Sequence, residues 1–209
     1  RLKEETGAAI WGCAPVSQDG HTAQFEEALD DLYRPEHIMS DGERLQGDGW
    51  TLEAITTPGH ISNHLCFHWE EENALFCGDH IMYWSTSVIL PPDGYMADYL
   101  SSLNKIKDRG FNTLWPTHGQ PIKKVGPFLT ALIQHRLDRE SAILRLLEDG
   151  PKSIMDIVKI LYHDIAEMLY PAAAQSVFAH LIKLGKDGRV SSNDSFTIDA
   201  IYSRKGTNR

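Results

Sequence analysis

Three side chains that can bind a metal ion each stand directly after an apolar stretch of the chain. His60 ends the string TPGH, Asp79 ends the string GD, and His118 lies in the string PTHG. Imidazole and carboxylate groups are the usual ligands of zinc and similar metals. A single histidine after Pro-Gly, or a single Gly-Asp, is typical of an ordinary turn. The same arrangement repeated three times along the chain instead favours a metal site.

The residues ahead of each candidate ligand are expected to form β-strands. Residues 50–55, 74–77 and 111–115 are apolar runs that end close to a proline or a glycine. Residues 65–69 form another such run, and the short acidic turn that follows it predicts a hairpin with residues 74–77. Apolar residues at helical spacing over 95–107 precede the last strand. Strands and a helix joined by short turns in this order predict an α/β layered fold.

The last third of the chain has a different pattern. A long helix is expected over residues 125–148, and shorter helices over 153–163 and 171–184, the first of them opened by a serine N-cap. Two short strands are predicted at residues 188–190 and 196–198. Three helices and a two-stranded ribbon predict a small winged-helix-like α+β domain.

The strings TPGH, GD and PTHG, in this order and spacing, resemble three of the five motifs of the metallo-beta-lactamase fold family, and within it the glyoxalase II-like branch. The string IQHRLDRE at residues 133–140 is also similar, and the resemblance covers nearly all 209 residues. It implies the C-terminal part of an αββα sandwich over residues 1–134 and a winged-helix-like domain over 135–209. It also implies that the long helix joins the two near the active-site mouth. Arg136 and Glu140 could equally form an ordinary ion pair on that helix.

The resemblance also implies a ligand set. His60 would bind the first of two zinc ions, His118 the second, and Asp79 both. The HxHxDH motif, which supplies the family's other ligands, does not occur in this sequence, and the chain opens without methionine. An N-terminal segment is therefore expected to be missing. Zinc is expected to be only partly bound or absent in this chain, which alone would then be inactive.

Other residues near the motifs have two interpretations each. His64, four residues after His60, either supports the metal ligands from behind or has no part in the site. Tyr83 and Trp84 lie in an aromatic loop that either forms a substrate wall or packs as an ordinary loop. His80 is not expected to be a ligand, because its side chain points away from that of Asp79 on an extended backbone.

Two classes of function remain open. The first is a metal-dependent hydrolase that uses hydroxide between two zinc ions. The resemblance implies either a small-molecule ester or thioester, or the phosphodiester of single-stranded RNA, as its substrate. The alternative is a nucleic-acid-binding or dimerising winged-helix protein with a non-catalytic hydrolase remnant. Lys183, Lys186 and Arg189 lie near the end of its expected recognition helix, where phosphate contacts occur.

Composition limits the partners. The net charge is −9, and residues 151–209 are only mildly basic, with 8 Lys and Arg against 6 Asp and Glu. The acidic remainder argues against broad electrostatic capture of nucleic acid. No apolar run approaches the roughly 18 residues of a membrane span. The three cysteines lack CxxC spacing and predict reduced thiols in a cytoplasmic protein, with homo-oligomers through the C-terminal domain as a further expectation.

Overall fold

The structure of the chain, a computed structural model, describes residues 2–15 and 33–206. Its strands are β1 (Trp11–Gly12), β2 (His37–Ile38), β3 (Arg44–Gly47), β4 (Trp50–Thr56), β5 (Leu65–Trp69), β6 (Ala74–Gly78), β7 (Thr113–Pro116), β8 (Lys152–Ser153), β9 (Val190–Ser192) and β10 (Ile201–Arg204). Its helices are α1 (Leu2–Thr6), α2 (Met96–Arg109), α3 (Val125–Leu146), α4 (Ile154–Leu161) and α5 (Tyr170–Lys186), with 3-10 turns at Leu147–Asp149 and Glu167–Leu169. None of the helices in these described ranges is long and apolar enough to cross a membrane.

Five strands form the central sheet in the order β3-β4-β5-β6-β7. The strands β3 to β6 pair antiparallel because each is followed by a direct return of the chain. The strands β6 and β7 pair parallel because α2 carries the chain back between them. Gly110 ends α2 in a left-handed conformation with a φ of 70°. The predicted hairpin and the predicted helix before the last strand are therefore confirmed.

The helices α2 and α3 pack on one face of this sheet. Leu75 of β6 and Leu114 of β7 are fully buried there, together with Tyr99 and Leu103 of α2 and Leu129 of α3. Because side chains alternate between the two faces of a strand, a slip by one residue would turn these leucines away from the helices. The core thus fixes the register of the strands and the positions of their ends.

The C-terminal domain has a hydrophobic core of its own, around α4, α5 and the end of α3. Its sheet has three strands in the order β8-β10-β9. The strand predicted at residues 196–198 is wrong, because the chain turns there and the strand lies at Ile201–Arg204. The physical reason is Tyr202, which is fully buried and donates a hydrogen bond to the Thr197 carbonyl at 2.6 Å.

The predicted domain boundary after residue 134 falls in the middle of α3. Leu129 and Leu132, before that point, belong to the core beneath the central sheet, whereas Ile143, after it, belongs to the C-terminal core. Ala179 of α5 also packs into the first core. The two domains therefore share one helix and part of another.

Candidate metal centre

Strand direction brings the three candidate ligands to one edge of the sheet. Since β4 and β6 are both antiparallel to β5, they run in the same direction, and β7 is parallel to β6. The C-terminal ends of β4, β6 and β7 therefore lie at the same edge. His60, Asp79 and His118 follow these three ends, and we call them the metal edge.

Asp79 and His118 face one another across this edge. The Nε2 atom of His118 lies 3.6 Å from Oδ1 of Asp79, which is too far for a hydrogen bond. That Oδ1 atom is buried and has no hydrogen-bond partner. Two ligand atoms bound tetrahedrally to one zinc at about 2.0–2.2 Å would be separated by about 3.4 Å. The pair therefore fits a shared metal ion.

The ring of His60 is held by the backbone. Its Nδ1 atom lies 2.6 Å from the carbonyl oxygen of Val88. A carbonyl can only accept, so Nδ1 carries the proton and Nε2 is left as the nitrogen that could bind a metal. Metal-binding histidines are commonly oriented by such a bond from the other ring nitrogen.

The glycine before Asp79 is required by its surroundings. Gly78 has a φ of +53°, and a Cβ atom there would lie 2.8 Å from Nε2 of His64. The Gly78 carbonyl also accepts a hydrogen bond from the Thr117 backbone N–H at 3.3 Å. This bond ties the turn that carries Asp79 to the turn that carries His118.

His64 lies behind the metal edge and in the interior. Its Nδ1 atom is 2.8 Å from the hydroxyl of Thr57, and its ring stands edge-on to that of His60 with centroids 6.3 Å apart. Burial, with a smaller contribution from His60, lowers the pKa of His64 to about 4, although the nearby Asp79 acts in the opposite direction. His64 is therefore neutral at physiological pH.

His80 also points into the interior. Its ring contacts that of Tyr99 at a centroid distance of 4.8 Å and that of His64 at 5.4 Å. Burial holds the pKa of His80 well below its ordinary value. Its location agrees with the expectation that it is not a metal ligand.

The aromatic loop borders an open groove of about 420 Å³ beside the metal edge. The groove is lined by Tyr83, Trp84, Ser85, Thr86, Phe128, Ala131, Leu132 and His135. The backbone N–H of Tyr83 donates to the His118 carbonyl at 3.4 Å. A Cβ atom at Gly119 would collide with Tyr83, so the glycine lets the loop lie against the PTHG turn. The groove and the metal edge are therefore adjacent.

Sequence reasoning did not assign Phe128 or His135 to this groove. Both lie on α3, and only the resemblance of the string around His135 indicated that this helix borders the active-site mouth. The His135 side chain is exposed, but partial desolvation, followed by the nearby Arg136 and Arg139, lowers its pKa.

A second set of ligand-type residues lies elsewhere on the central sheet. Glu53 is in β4, His68 is in β5, and Glu70 follows the end of β5. Within residues 2–15 and 33–206 this is the only set of three potential ligands whose donor atoms all lie within 4.8 Å of one another. The ligand atoms of His60, Asp79 and His118 are therefore not all within that distance of one another. Glu53 and Glu70 already have cationic partners, so we call this set the arginine-held cluster.

Two arginines satisfy the carboxylates of that cluster. Arg109 donates to both oxygens of Glu53, and Arg44 donates to Glu70 at 2.7 Å. The Arg109 hydrogen bond is the largest cause of a lowered pKa at Glu53, with burial acting against it. These carboxylates form a salt-bridge network, and no metal is needed to compensate their charge.

The basic residues near the end of α5 face their own chain. The Nζ atom of Lys183 lies 2.9 Å from Glu140 and 2.7 Å from Asp187, and Arg189 lies 2.9 Å from Glu140. Lys186 stands 3.8 Å from the ring centroid of Tyr95. Glu140 thus pairs with α5 and the turn after it, and the alternative interpretation, an ordinary ion pair between Arg136 and Glu140, is not what the described residues form.

Comparison with known proteins agrees with this architecture. Residues 1–118 match the metallo-beta-lactamase superfamily, and residues 153–199 match the beta-lactamase associated winged helix domain. A beta-lactamase-like protein 2 homolog from Caenorhabditis elegans is 37% identical over 75% of this chain and 52% of its own length. The homolog from Drosophila melanogaster is 32% identical over 76% of this chain and 54% of its own length. The chain thus spans about half the length of these curated relatives.

A solved structure gives the same result. The metallo-beta-lactamase family protein from Thermus thermophilus is 30% identical and superposes with a TM-score of 0.69, over 83% of this chain and 55% of the other. The predicted fold class, a metallo-beta-lactamase-type α/β domain followed by a winged helix, is confirmed.

Proposed function

Because the chain belongs to the metallo-beta-lactamase superfamily, we propose that it is a zinc-dependent hydrolase whose metal ligands include His60, Asp79 and His118. The observation that carries the proposal is the buried Oδ1 atom of Asp79, which lacks a hydrogen-bond partner and faces the Nε2 atom of His118 at 3.6 Å. Such a group is costly to bury unless a cation satisfies it. Two zinc ions per complete site are part of the proposal.

The chain's own residues hold and orient the proposed ligands. Asp79 and His118 present a carboxylate oxygen and a ring nitrogen to the same space, and Val88 leaves Nε2 of His60 free to bind. When bound, zinc ions supply a hydroxide nucleophile near neutral pH and polarise the bond under attack. His64, which lies behind the proposed ligands, is neutral at physiological pH because its pKa is about 4. It therefore adds no positive charge that would repel a bound zinc ion.

We propose a small-molecule ester or thioester as the substrate, with its apolar acyl part in the groove. The lining consists of aromatic, aliphatic and hydroxyl side chains and His135, and it includes no lysine, arginine or carboxylate. Since the pKa of His135 is lowered, this side chain adds little positive charge. A phosphodiester backbone is normally bound by cationic side chains. Single-stranded RNA, whose bases could stack on Tyr83 and Trp84, is the competing substrate.

The test combines zinc binding with turnover. Zinc affinity is measured by competition with a chromophoric chelator. Hydrolysis is followed with aryl thioesters, with an aryl ester and with a phosphodiester of the same phenol as that ester. In the full-length protein, we expect zinc-dependent thioester hydrolysis that Asp79→Asn abolishes and that Asp48→Asn, in an exposed turn, leaves unchanged. Equal zinc affinity in the wild type and Asp79→Asn would refute the proposed centre. Preference for the phosphodiester would favour RNA.

The nucleic-acid-binding alternative gains no support from α5, because Lys183 and Arg189 are paired with Glu140. A homo-oligomer formed through the C-terminal domain stays a proposal, which the exposure of Met168 (84%) and the neighbouring Leu169 (50%) supports. A cytoplasmic location is likewise proposed, and the free thiols of the three cysteines support it.

A further inference from the structure

A two-residue segment, Ser87–Val88, contacts two of the three residues of the metal edge. The Ser87 hydroxyl donates to the backbone carbonyl of Asp79 and lies 2.8 Å from that of His80. The carbonyl of Val88 accepts the bond from Nδ1 of His60. The position of this segment therefore determines both the turn that carries Asp79 and the ring orientation of His60.

Arg136 of α3 holds that segment in place. Its guanidinium donates to the Ser87 carbonyl and lies over the Tyr99 ring, 5.3 Å from the ring centroid. Arg136 is only 3% exposed, and among the described residues no carboxylate forms an ion pair with it. A buried charge without an opposite charge is expensive. Its presence calls for a role that a neutral side chain could not fill.

We propose that Arg136 is a positioning residue for the metal centre, acting through Ser87–Val88 on Asp79 and His60. The inference rests on the proposed ligand set. It adds a connection between that set and the helix shared by the two domains. A shift of α3 would change the spacing of the ligands although α3 itself supplies none of the proposed ones.

Arg139, one turn along the same helix, provides a matched control. Its guanidinium donates to the Leu161 carbonyl at 3.1 Å and lies 4.1 Å from the ring centroid of Tyr162. Arg136 and Arg139 thus make the same kinds of contact, one carbonyl hydrogen bond and one aromatic contact. Only the contacts of Arg136 lead to the metal edge.

The experiment measures zinc affinity and the cobalt(II) absorption spectrum of the full chain with Arg136→Met, Arg139→Met and Arg136→Lys. We expect Arg136→Met to weaken zinc binding about 10- to 100-fold, as losses of residues that support metal ligands typically do, and to alter the cobalt spectrum. Arg139→Met should lower the melting temperature without changing either metal readout. Arg136→Lys should restore part of the affinity, because its ammonium group can still donate to Ser87.

The outcomes separate the two proposals. A full-length wild-type protein that binds no zinc would overturn the proposed ligand set and this inference with it. Zinc binding in the wild type, together with equal affinities and spectra in folded Arg136→Met, would overturn the positioning role alone. If Arg136→Met does not fold, Ser87→Ala decides, because it keeps the carbonyl that Arg136 binds and removes the hydroxyl bonds to the carbonyls of Asp79 and His80. Unchanged zinc affinity in Ser87→Ala would then refute the inference.

Discussion

The metal edge and the arginine-held cluster contain the same kinds of side chain on the same sheet, but they differ in how their charges are compensated. In the cluster, Arg109 and Arg44 donate directly to Glu53 and Glu70. At the edge, Oδ1 of Asp79 is buried and accepts nothing. The cluster is the more compact set of ligand atoms, yet it is the edge that has a deficit a cation would fill. Residue type and proximity alone do not identify a metal site, and the remaining partners decide.

The largest expected effect separates the two regions by their histidines. His118→Ala should lower zinc affinity about 100- to 1000-fold, since a complete site contributes roughly 10–16 kcal/mol over four ligands. His68→Ala, in the arginine-held cluster, should leave zinc affinity unchanged. Calorimetric titration of both variants with zinc checks this expectation. A comparable loss in His68→Ala would mean that the cluster, and not the edge, binds the metal.

The next effect concerns pH. Burial lowers the pKa of His64 to about 4, whereas an unfolded histidine titrates near 6.5. The folded chain therefore favours neutral His64. The stability that depends on this neutral form is fully present above about pH 6.5. It falls by up to about 3 kcal/mol as the pH drops toward 4. Urea unfolding of the metal-free chain measures it.

A His64→Gln variant is the control for that pH dependence. His80 and His180 also have lowered pKa values, so the variant should reduce the slope between pH 6.5 and 4 without removing it. The lowered pKa of Glu53 acts in a different window. Its contribution is present above about pH 4.3 and is lost at lower pH. An unchanged slope in His64→Gln would contradict the buried, neutral assignment.

The smallest of these effects belongs to the arginine-held cluster. Glu53→Gln should lower the free energy of unfolding by about 2 kcal/mol, because Arg109 loses a charged partner but remains about one third exposed to water. Zinc affinity should not change. Chemical denaturation at neutral pH, with Asp48→Asn as the surface control, tests this. A variant as stable as the wild type would show that the network contributes little.

Much of the fold could be predicted because its signals are local. The acidic turn between β5 and β6 and the glycine after α2 mark element ends by backbone preferences that neighbouring residues alone decide. The convergence of His60, Asp79 and His118 on one edge also followed, since parallel strand directions result from a hairpin and one crossover helix. The strand at residues 196–198 could not be predicted correctly, because Tyr202 is buried by residues distant in sequence.

The residues proposed to position the metal ligands, Arg136 and Ser87, could not be predicted for a similar reason. The spacing of Arg136 and Glu140 suggested a pair within one helix, but each found a partner elsewhere: Ser87, 49 positions earlier, and Arg189, 49 positions later. Ser87 itself stands in an irregular loop and has no pattern that distinguishes it. Such residues are defined by three-dimensional contacts that no sequence spacing encodes.

The helix shared by both cores has a consequence for the history of the chain. A domain that is gained or lost by recombination must leave a closed core behind, and a break after residue 134 would divide α3 and separate Ala179 from the core that it completes. An exchange of the C-terminal segment at that point would therefore open the first core. The two parts are expected to tolerate recombination only where α3 and Ala179 stay with the core that they complete.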